Sequence, residues 1–206
     1  MTSRLGVAVA LEITFAVLAF GVRSWIQVRR TGATGLVLPR RGAPAAERVG
    51  AVLFLVAIAL FVVAPVVDAR GGSRLAVLAN PVVALLGTVL AVAGIVVCVV
   101  AQLTMGESWR IGVDHATRTA LVTRGIFGVV RNPIFSAIML ASAGFALLLP
   151  NGWGLVAPLV LVAALELQVR FVEEPYLRTV HGADYERYAA RAGRFLPGTG
   201  LLGMSR

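Results

Sequence analysis

Two polar stretches interrupt an otherwise apolar chain, and they hold the side chains suited to chemistry. The first runs through Gly106, Glu107, Trp109, Arg110 and Asp114 to Arg124, Phe127, Arg131, Asn132, Pro133 and Phe135. The second holds Arg170, Glu173, Glu174, Tyr176, His181, Tyr185, Tyr188 and Arg194. These residue types point to binding rather than covalent attack. A carboxylate can accept from hydroxyls or an ammonium, an arginine can grip a carboxylate in its planar fork, and an aromatic ring can lie against a cation. No catalytic triad is evident. Cys98 is the single cysteine and lies in an apolar run, while His115 and His181 stand alone, so neither a disulfide nor a metal site is expected.

The same residues have plainer readings. Glu173 and Glu174 can form an interfacial acidic pair facing Arg170 or Arg178, and Arg170 with Glu174 has the i,i+4 spacing of a helical ion pair. Arg131 can snorkel to an interface, and Pro133 can simply start a helix. Trp109, Tyr185 and Tyr188 suit an interfacial aromatic belt. Arg187, Arg191 and Arg194 suit a solvated helix side facing lipid headgroups. Glu12 and Glu166 sit at apolar depth. Acids there usually face a protein interior, and Glu12 reads as a packing partner for a serine or arginine.

The elements that must position these groups are set by hydropathy. Of 206 residues, 58% are hydrophobic and 14% charged, against about 25% charged in ordinary soluble domains. Mean hydropathy is +0.87. Apolar runs cover Leu5 to Val22, Val49 to Val67, Val82 to Val100, Ile134 to Leu149 and Leu155 to Leu165. A crossing takes about 20 residues, so the first three read as membrane helices, with Trp25 and Arg23 at the interface end of the first. The last two are short and read as a helical hairpin about the turn Pro150-Asn151-Gly152. The expected fold is all-α and polytopic, with about five transmembrane helices. Residues 1–105 form a three-helix scaffold and substrate groove. Residues 106–206 form a catalytic region with hairpin 133–172 and a cytoplasmic C-terminal segment.

All nineteen basic residues are arginine and the net charge is +9. Their crowding beside apolar runs reads as a topology signal and lipid contact, not as a nucleic-acid surface. The loop after the first segment holds five arginines, Arg29, Arg30, Arg40, Arg41 and Arg48, whereas the next loop holds Arg70 and Arg74. The positive-inside rule then places the N-terminus outside and the C-terminus in the cytoplasm. The first run has only Arg4 before it and no clear cleavage site, so it reads as a retained helix. The arginine-, alanine- and glycine-rich composition suggests a bacterial inner membrane.

The order of motifs resembles the isoprenylcysteine carboxyl methyltransferases and their phospholipid methyltransferase relatives. The pieces are G-x-x-W-R-x-G-V-D from Gly106, L-V-T-x-G-I-F from Leu121, R-N-P-I-F from Arg131, E-E-x-x-L-x-x-x-H-G-x-x-Y-x-x-Y from Glu173, and a closing R-F-L-P at Arg194. The resemblance covers about Gly106 to Pro197. It implies S-adenosylmethionine as methyl donor, a pocket built by the C-terminal segments, and a lipophilic acceptor entering from the bilayer, most simply a lipid-linked carboxylic acid. Methylation of nitrogen or sulfur in a lipid and an NADPH-dependent sterol-reductase-like chemistry are the alternatives. By position, the resemblance implies cofactor contacts from Thr119, Ala120, Leu121, Val122, Phe127, Asn132, Pro133, Ile134, Phe135 and Glu173. It makes Arg170, Glu174 and Arg131 the catalytic candidates. Asn132 stands where the family usually has His, and Phe127 and Phe135 stand for Tyr. The family's acceptor-binding arginine falls on Val169, with Arg170 one residue on and about 100° around an ideal helix. The oligomeric state is open.

Overall fold

The protein is described from a computed structural model, in which residues 2–35, 37, 42–110 and 120–202 are described. Its helices in chain order are α1 (Thr2–Ala16), α2 (Arg23–Thr31), α3 (Ala45–Ala69), α4 (Pro81–Met105), α5 (Pro133–Leu148), α6 (Gly152–Gln168), α7 (Glu174–His181) and α8 (Ala183–Ala189). A π-helical turn at Val17–Val22 joins α1 to α2, and another at Val169–Glu173 joins α6 to α7, so each pair is one continuous rod. Among the described residues there is no β-strand, only a single parallel bridge between Val130 and Gly193.

Four rods are long and apolar enough to cross a bilayer: Arg4–Thr31, Ala45–Ala69, Pro81–Ser108 and Gly152–His181. The protein is therefore an integral membrane protein. The fifth apolar helix, α5, has 16 residues and is about 24 Å long, short of a ~30 Å hydrocarbon core. The last rod is longer than its apolar run suggests. Charges at Glu166, Arg170, Glu173 and Glu174 read as its end, yet the helix continues to His181. Likewise α3 begins four residues before its uncharged run and carries Glu47 and Arg48 in its first turns.

Local chemistry fixes the ends. Asn80 caps α4 by accepting from the Val83 amide at 3.0 Å, with Pro81 at the first helical position. Asn151 caps α6 through the Gly154 amide and also donates to the Ala64 carbonyl of α3, each at 2.9 Å. Arg4 closes the far end of α5 by donating to the Leu147 and Leu148 carbonyls.

The arms of the α5–α6 hairpin pack mainly on earlier helices, α5 on α4 and α6 on α3, rather than on each other. In lipid, apolar burial does not favour one apolar face over another, so close backbone approach decides the pairing. Gly87, Ala91 and Gly94 of α4 meet Ala137, Ala141 and Gly144 of α5. A Cβ placed on Gly94 would lie 2.5 Å from the Ala141 nitrogen, and one on Gly144 would lie 2.4 Å from the Ala91 nitrogen. On the other pair, Gly50 of α3 faces Ala164 and Gln168 of α6.

The first rod bends its chemistry inward. Arg23, expected near an interface, is 3% exposed, and Gln27 one turn on is 4% exposed. Arg23 donates to the Gly106 carbonyl and lies over the Trp109 ring, 4.6 Å from its centroid. Gln27 donates to the Glu107 carbonyl at 2.8 Å. Gly106, at φ +60, gives the turn that brings Trp109 back under α2.

Candidate active site

The shortness of α5 creates the site. Its packing register sets Pro133 near the level of Val100, so α4 runs on past the start of α5 by more than a turn. The stretch before α5 fills the step. A 3₁₀ turn at Gly125–Gly128 places Phe127 inward, 4% exposed, and Tyr188 of α8 holds it by donating to the Phe127 carbonyl at 2.7 Å. The chain end is sewn to the same place. The Arg131 amide donates to the Gly193 carbonyl at 2.7 Å, the Asn132 side chain to the Arg194 carbonyl at 3.0 Å, and the Ser136 hydroxyl to the Phe195 carbonyl at 2.6 Å.

Two adjoining cavities flank Phe127. The larger, about 440 Å³, is mostly apolar and descends along α3 past Ala51, Phe54, Leu55 and Ile58, with Ile134, Ile138 and Leu165 opposite. Its upper wall carries Trp109, Arg110, Glu47 and Gln168. The smaller recess, about 70 Å³, is bounded by Ala120, Leu121 and Val122, by Leu177, and by Tyr185 and Tyr188. Met105, Phe127, Arg131, Asn132 and Glu173 line both.

Behind this shared wall lies a buried ion cluster. Glu174 accepts from Arg131 at 2.9 Å and from Arg194 at 2.7 and 3.0 Å. Arg131 also donates to the carbonyls of Ala189, Ala192 and Gly200. The Glu174 hydrogen bond raises the pKa of Arg194 further above its ordinary value. Burial pushes the Tyr188 phenol up to about 12, so it remains a hydrogen-bond donor at neutral pH. Tyr185 is raised as well, chiefly by burial.

The π turn decides which acid does what. It inserts one residue relative to α-helical register, about 100° of rotation. Glu173 consequently faces both cavities, with a single long contact to Gln168 at 3.4 Å, while Glu174 turns into the cluster. Of the expected cofactor contacts, Ala120, Leu121 and Val122 line the recess. Pro133, Ile134 and Phe135 line the larger cavity, and Phe127, Asn132 and Glu173 line both. Thr119 lies outside the described residues, as do Asp114 and His115. Arg131 and Glu174 are brought together. Arg170 is on the outer face, half-exposed and paired with Glu166, and lines neither cavity.

Several of the plainer readings are corrected. The expected Arg170–Glu174 pair does not form, because the π turn breaks the i,i+4 register and Arg170 reaches back one turn to Glu166. Arg131 does not snorkel, being 6% exposed and bound to three carbonyls. Trp109, Tyr185 and Tyr188 are core residues rather than a belt, at 1%, 1% and 7% exposure. Arg194 leaves the solvated side for the cluster, whereas Arg187 and Arg191 are exposed. No serine or arginine partner meets Glu12 among the described residues.

Sequence reading missed the walls contributed by Phe20, Glu47, Phe54 and Gln102. Gln102 carried a usable signal as an amide at the end of an uncharged span. It is 3% exposed and donates to the Ala19 carbonyl in the first π turn, where the i−4 ladder is interrupted.

Residues 82–184 match the family model described as "Phospholipid methyltransferase". Two curated rice proteins, from Oryza sativa subspecies indica and japonica, are each 30% identical over 118 residues, 56% of this chain and 61% of theirs. Both carry the description "Probable protein-S-isoprenylcysteine O-methyltransferase". The match thus spans about three fifths of those relatives. No solved structure matches. The matched region holds α4, α5, α6, both sides of the shared cavity wall and Glu173, and by that match the chain belongs to the phospholipid methyltransferase family.

Proposed function

We propose that this protein transfers a methyl group from S-adenosylmethionine to a lipophilic acceptor that reaches the site sideways from the bilayer. The observation that carries the reading is the junction of two unlike spaces at Phe127, Asn132 and Glu173. One is a recess edged by backbone and tyrosines, the other an apolar slot. The slot is open at membrane depth. Leu55 and Ile58 line it yet are 65% and 44% exposed, and Leu55 lies about 15 Å down α3 from Ala45.

The residues fit the donor. Glu173 has carboxylate capacity to spare for an ammonium or ribose hydroxyls, and Phe127 offers a ring face. A 70 Å³ recess is far below the ~300 Å³ lower end of ligand pockets, so the donor would run from the recess into the upper part of the slot. When bound it supplies an electrophilic methyl group on sulfur. The protein's share is to hold acceptor and donor in line and to keep water out. Tyr188 fixes Phe127, Asn132 is tied to the Arg194 carbonyl, and the ion cluster keeps the chain end closed over the wall.

The description of the rice relatives specifies O-methylation, and a carboxyl group is the acceptor we consider first. It would need a cation for the acceptor. Among the described residues, the arginines on the slot are Arg131, bonded to Glu174 and three carbonyls with its Nε unpartnered, and Arg110, which has a partner of its own. We place the arginine-rich loops and the recess on the cytoplasmic side of a bacterial inner membrane, by the positive-inside rule.

The test is calorimetry on protein in lipid nanodiscs with S-adenosylmethionine, S-adenosylhomocysteine and NADPH, for the parent, Glu173→Ala and Asn132→Ala. Saturable binding of the two adenosyl ligands, weakened by both substitutions, is expected. Binding of NADPH in their place would overturn the reading in favour of a reductase.

A further inference from the structure

We infer that Arg23 is a positioning residue for the methyl acceptor, holding the Trp109 ring as a fixed wall at the head end of the slot. The inference rests on the methyl-transfer reading above. Arg23 follows the first π turn and is almost fully buried. It donates one hydrogen bond, from Nη2 to the Gly106 carbonyl, while its Nε and Nη1 are buried without partners. No carboxylate pairs with it among the described residues. A buried cation with most of its donors idle costs stability.

Tying the first rod to the end of α4 does not require that charge. Gln102 of α4 donates to the Ala19 carbonyl at 2.9 Å, and Gln27 donates to the Glu107 carbonyl at 2.8 Å. Both ties are neutral amides, one turn before Arg23 and one turn after it. What the guanidinium adds is its place over Trp109, 4.6 Å from the ring centroid. Trp109 lines the slot and Arg23 lines neither cavity, so the ring stands between the charge and the slot.

A second contact pins the edge of the same ring. Gly35, at φ +75, is so close that a Cβ there would lie 2.7 Å from Trp109 Cζ3 and 2.9 Å from Cε3. The Trp109 amide is itself held by the Gly106 carbonyl at 3.2 Å. Trp109 lies four residues past Met105, which lines both cavities, so the ring walls the slot at the end where acceptor and donor meet. An apolar slot alone lets a chain slide along its axis. A rigid ring at the head removes that freedom, and in-line transfer loses rate steeply when the acceptor is misplaced. The family match at residues 82–184 holds the ring but not Arg23, its clamp.

The experiment uses full-length protein in phosphatidylcholine nanodiscs, carrying Trp25→Phe and Trp153→Phe. These changes remove the two exposed indoles and leave the buried Trp109 as the sole tryptophan emitter. The acceptor-side probe is 1-bromododecane, an uncharged chain whose bromine quenches indole emission on contact. Calorimetry with S-adenosylhomocysteine reads the donor side, and Tm reads the fold. This parent is compared with Arg23→Gln, which keeps a donor without charge, Arg23→Lys, which keeps the charge, and Gly35→Ala, which pushes the ring while Arg23 stays. The parent should show saturable quenching. Arg23→Gln should weaken it about fivefold and lower the emission anisotropy, with Tm and S-adenosylhomocysteine affinity held, and Arg23→Lys should restore it. Gly35→Ala should weaken it as well. Parent-like quenching in Arg23→Gln or Gly35→Ala, or no rescue by Arg23→Lys, overturns the assignment. So does a Tm in Arg23→Gln that falls together with both ligands, which would make Arg23 a structural tie, and so does absent quenching in a parent that binds S-adenosylhomocysteine. A folded parent that binds no S-adenosylhomocysteine would instead overturn the methyl-transfer reading.

Discussion

Adjacent glutamates on one helix should fail in opposite ways. Glu174 accepts three hydrogen bonds from Arg131 and Arg194, whose side chains are 2% and 12% exposed. Replacing it by Gln removes the only carboxylate in the cluster and leaves two cations facing each other. At an effective dielectric near 20 each pair is worth about 4 kcal/mol at 4 Å, and removing one partner of a buried pair typically costs about 3–5 kcal/mol. Arg131 keeps its three carbonyl acceptors, which argues for the lower end, about 3 kcal/mol. For a chain of this size that is a fall in Tm of roughly 6–12 °C. Glu173→Gln removes only the 3.4 Å contact with Gln168 and should cost under about 1 kcal/mol. It should nevertheless weaken S-adenosylhomocysteine binding by roughly tenfold or more, the worth of one charged hydrogen bond. Dye-monitored thermal unfolding in detergent and calorimetry read the two effects on the same samples. If Glu173→Gln melts as early as Glu174→Gln, or Glu174→Gln melts with the parent, the division of labour assigned to the π turn is wrong.

Three further outcomes are expected. Gly94→Val should cost about 3 kcal/mol or more, seen as loss of monodisperse protein, because its Cβ would collide with the α5 backbone; Gly21→Ala, with nothing within 4 Å, should be silent. The Tyr188 phenol ionises at about 10 when unfolded and about 12 when folded, so its contribution is constant below pH 10 and lost as pH rises towards 12; alkaline unfolding should be less steep in Tyr188→Phe. Arg23 has two buried guanidinium nitrogens without partners, so Arg23→Met should hold or raise the Tm while shifting the fluorescence of Trp109, on which the guanidinium now rests.

The helices were legible because three apolar runs are long and the turn Pro150-Asn151-Gly152 separates the two short ones. The wall between recess and slot was partly legible because Leu121 to Phe127 and Arg131 to Phe135 are local strings whose members line one cavity or both. Three things were not. The last rod's continuation to His181 was hidden, because buried charges there are paired by residues far away, Arg131 and Arg194, and a charge without a visible partner reads as solvated. The π turns leave no periodic trace, yet one of them turns Arg170 outward to Glu166 and Glu174 into the cluster while Glu173 faces the cavities. The slot wall on α3 was invisible because nearly every position from Val49 to Val67 is apolar, so no face stands out as the lining one.

The boundary of the family match divides the site unevenly. Residues 82–184 supply the shared wall and most of the recess. The slot takes Phe20, Val37 and α3 residues from Glu47 to Ile58 from outside the match. The recess thus lies almost wholly within the family match, while the slot is lined from inside the match and from α3 outside it. The closing segment argues the same way from the other end. Arg194, outside the match, completes the cluster with Arg131 and Glu174 inside it. Removing the chain after Ala189 should accordingly unseat the donor wall as well as the tail, since the Arg131 and Asn132 backbone amides lose the carbonyls of Gly193 and Arg194 together.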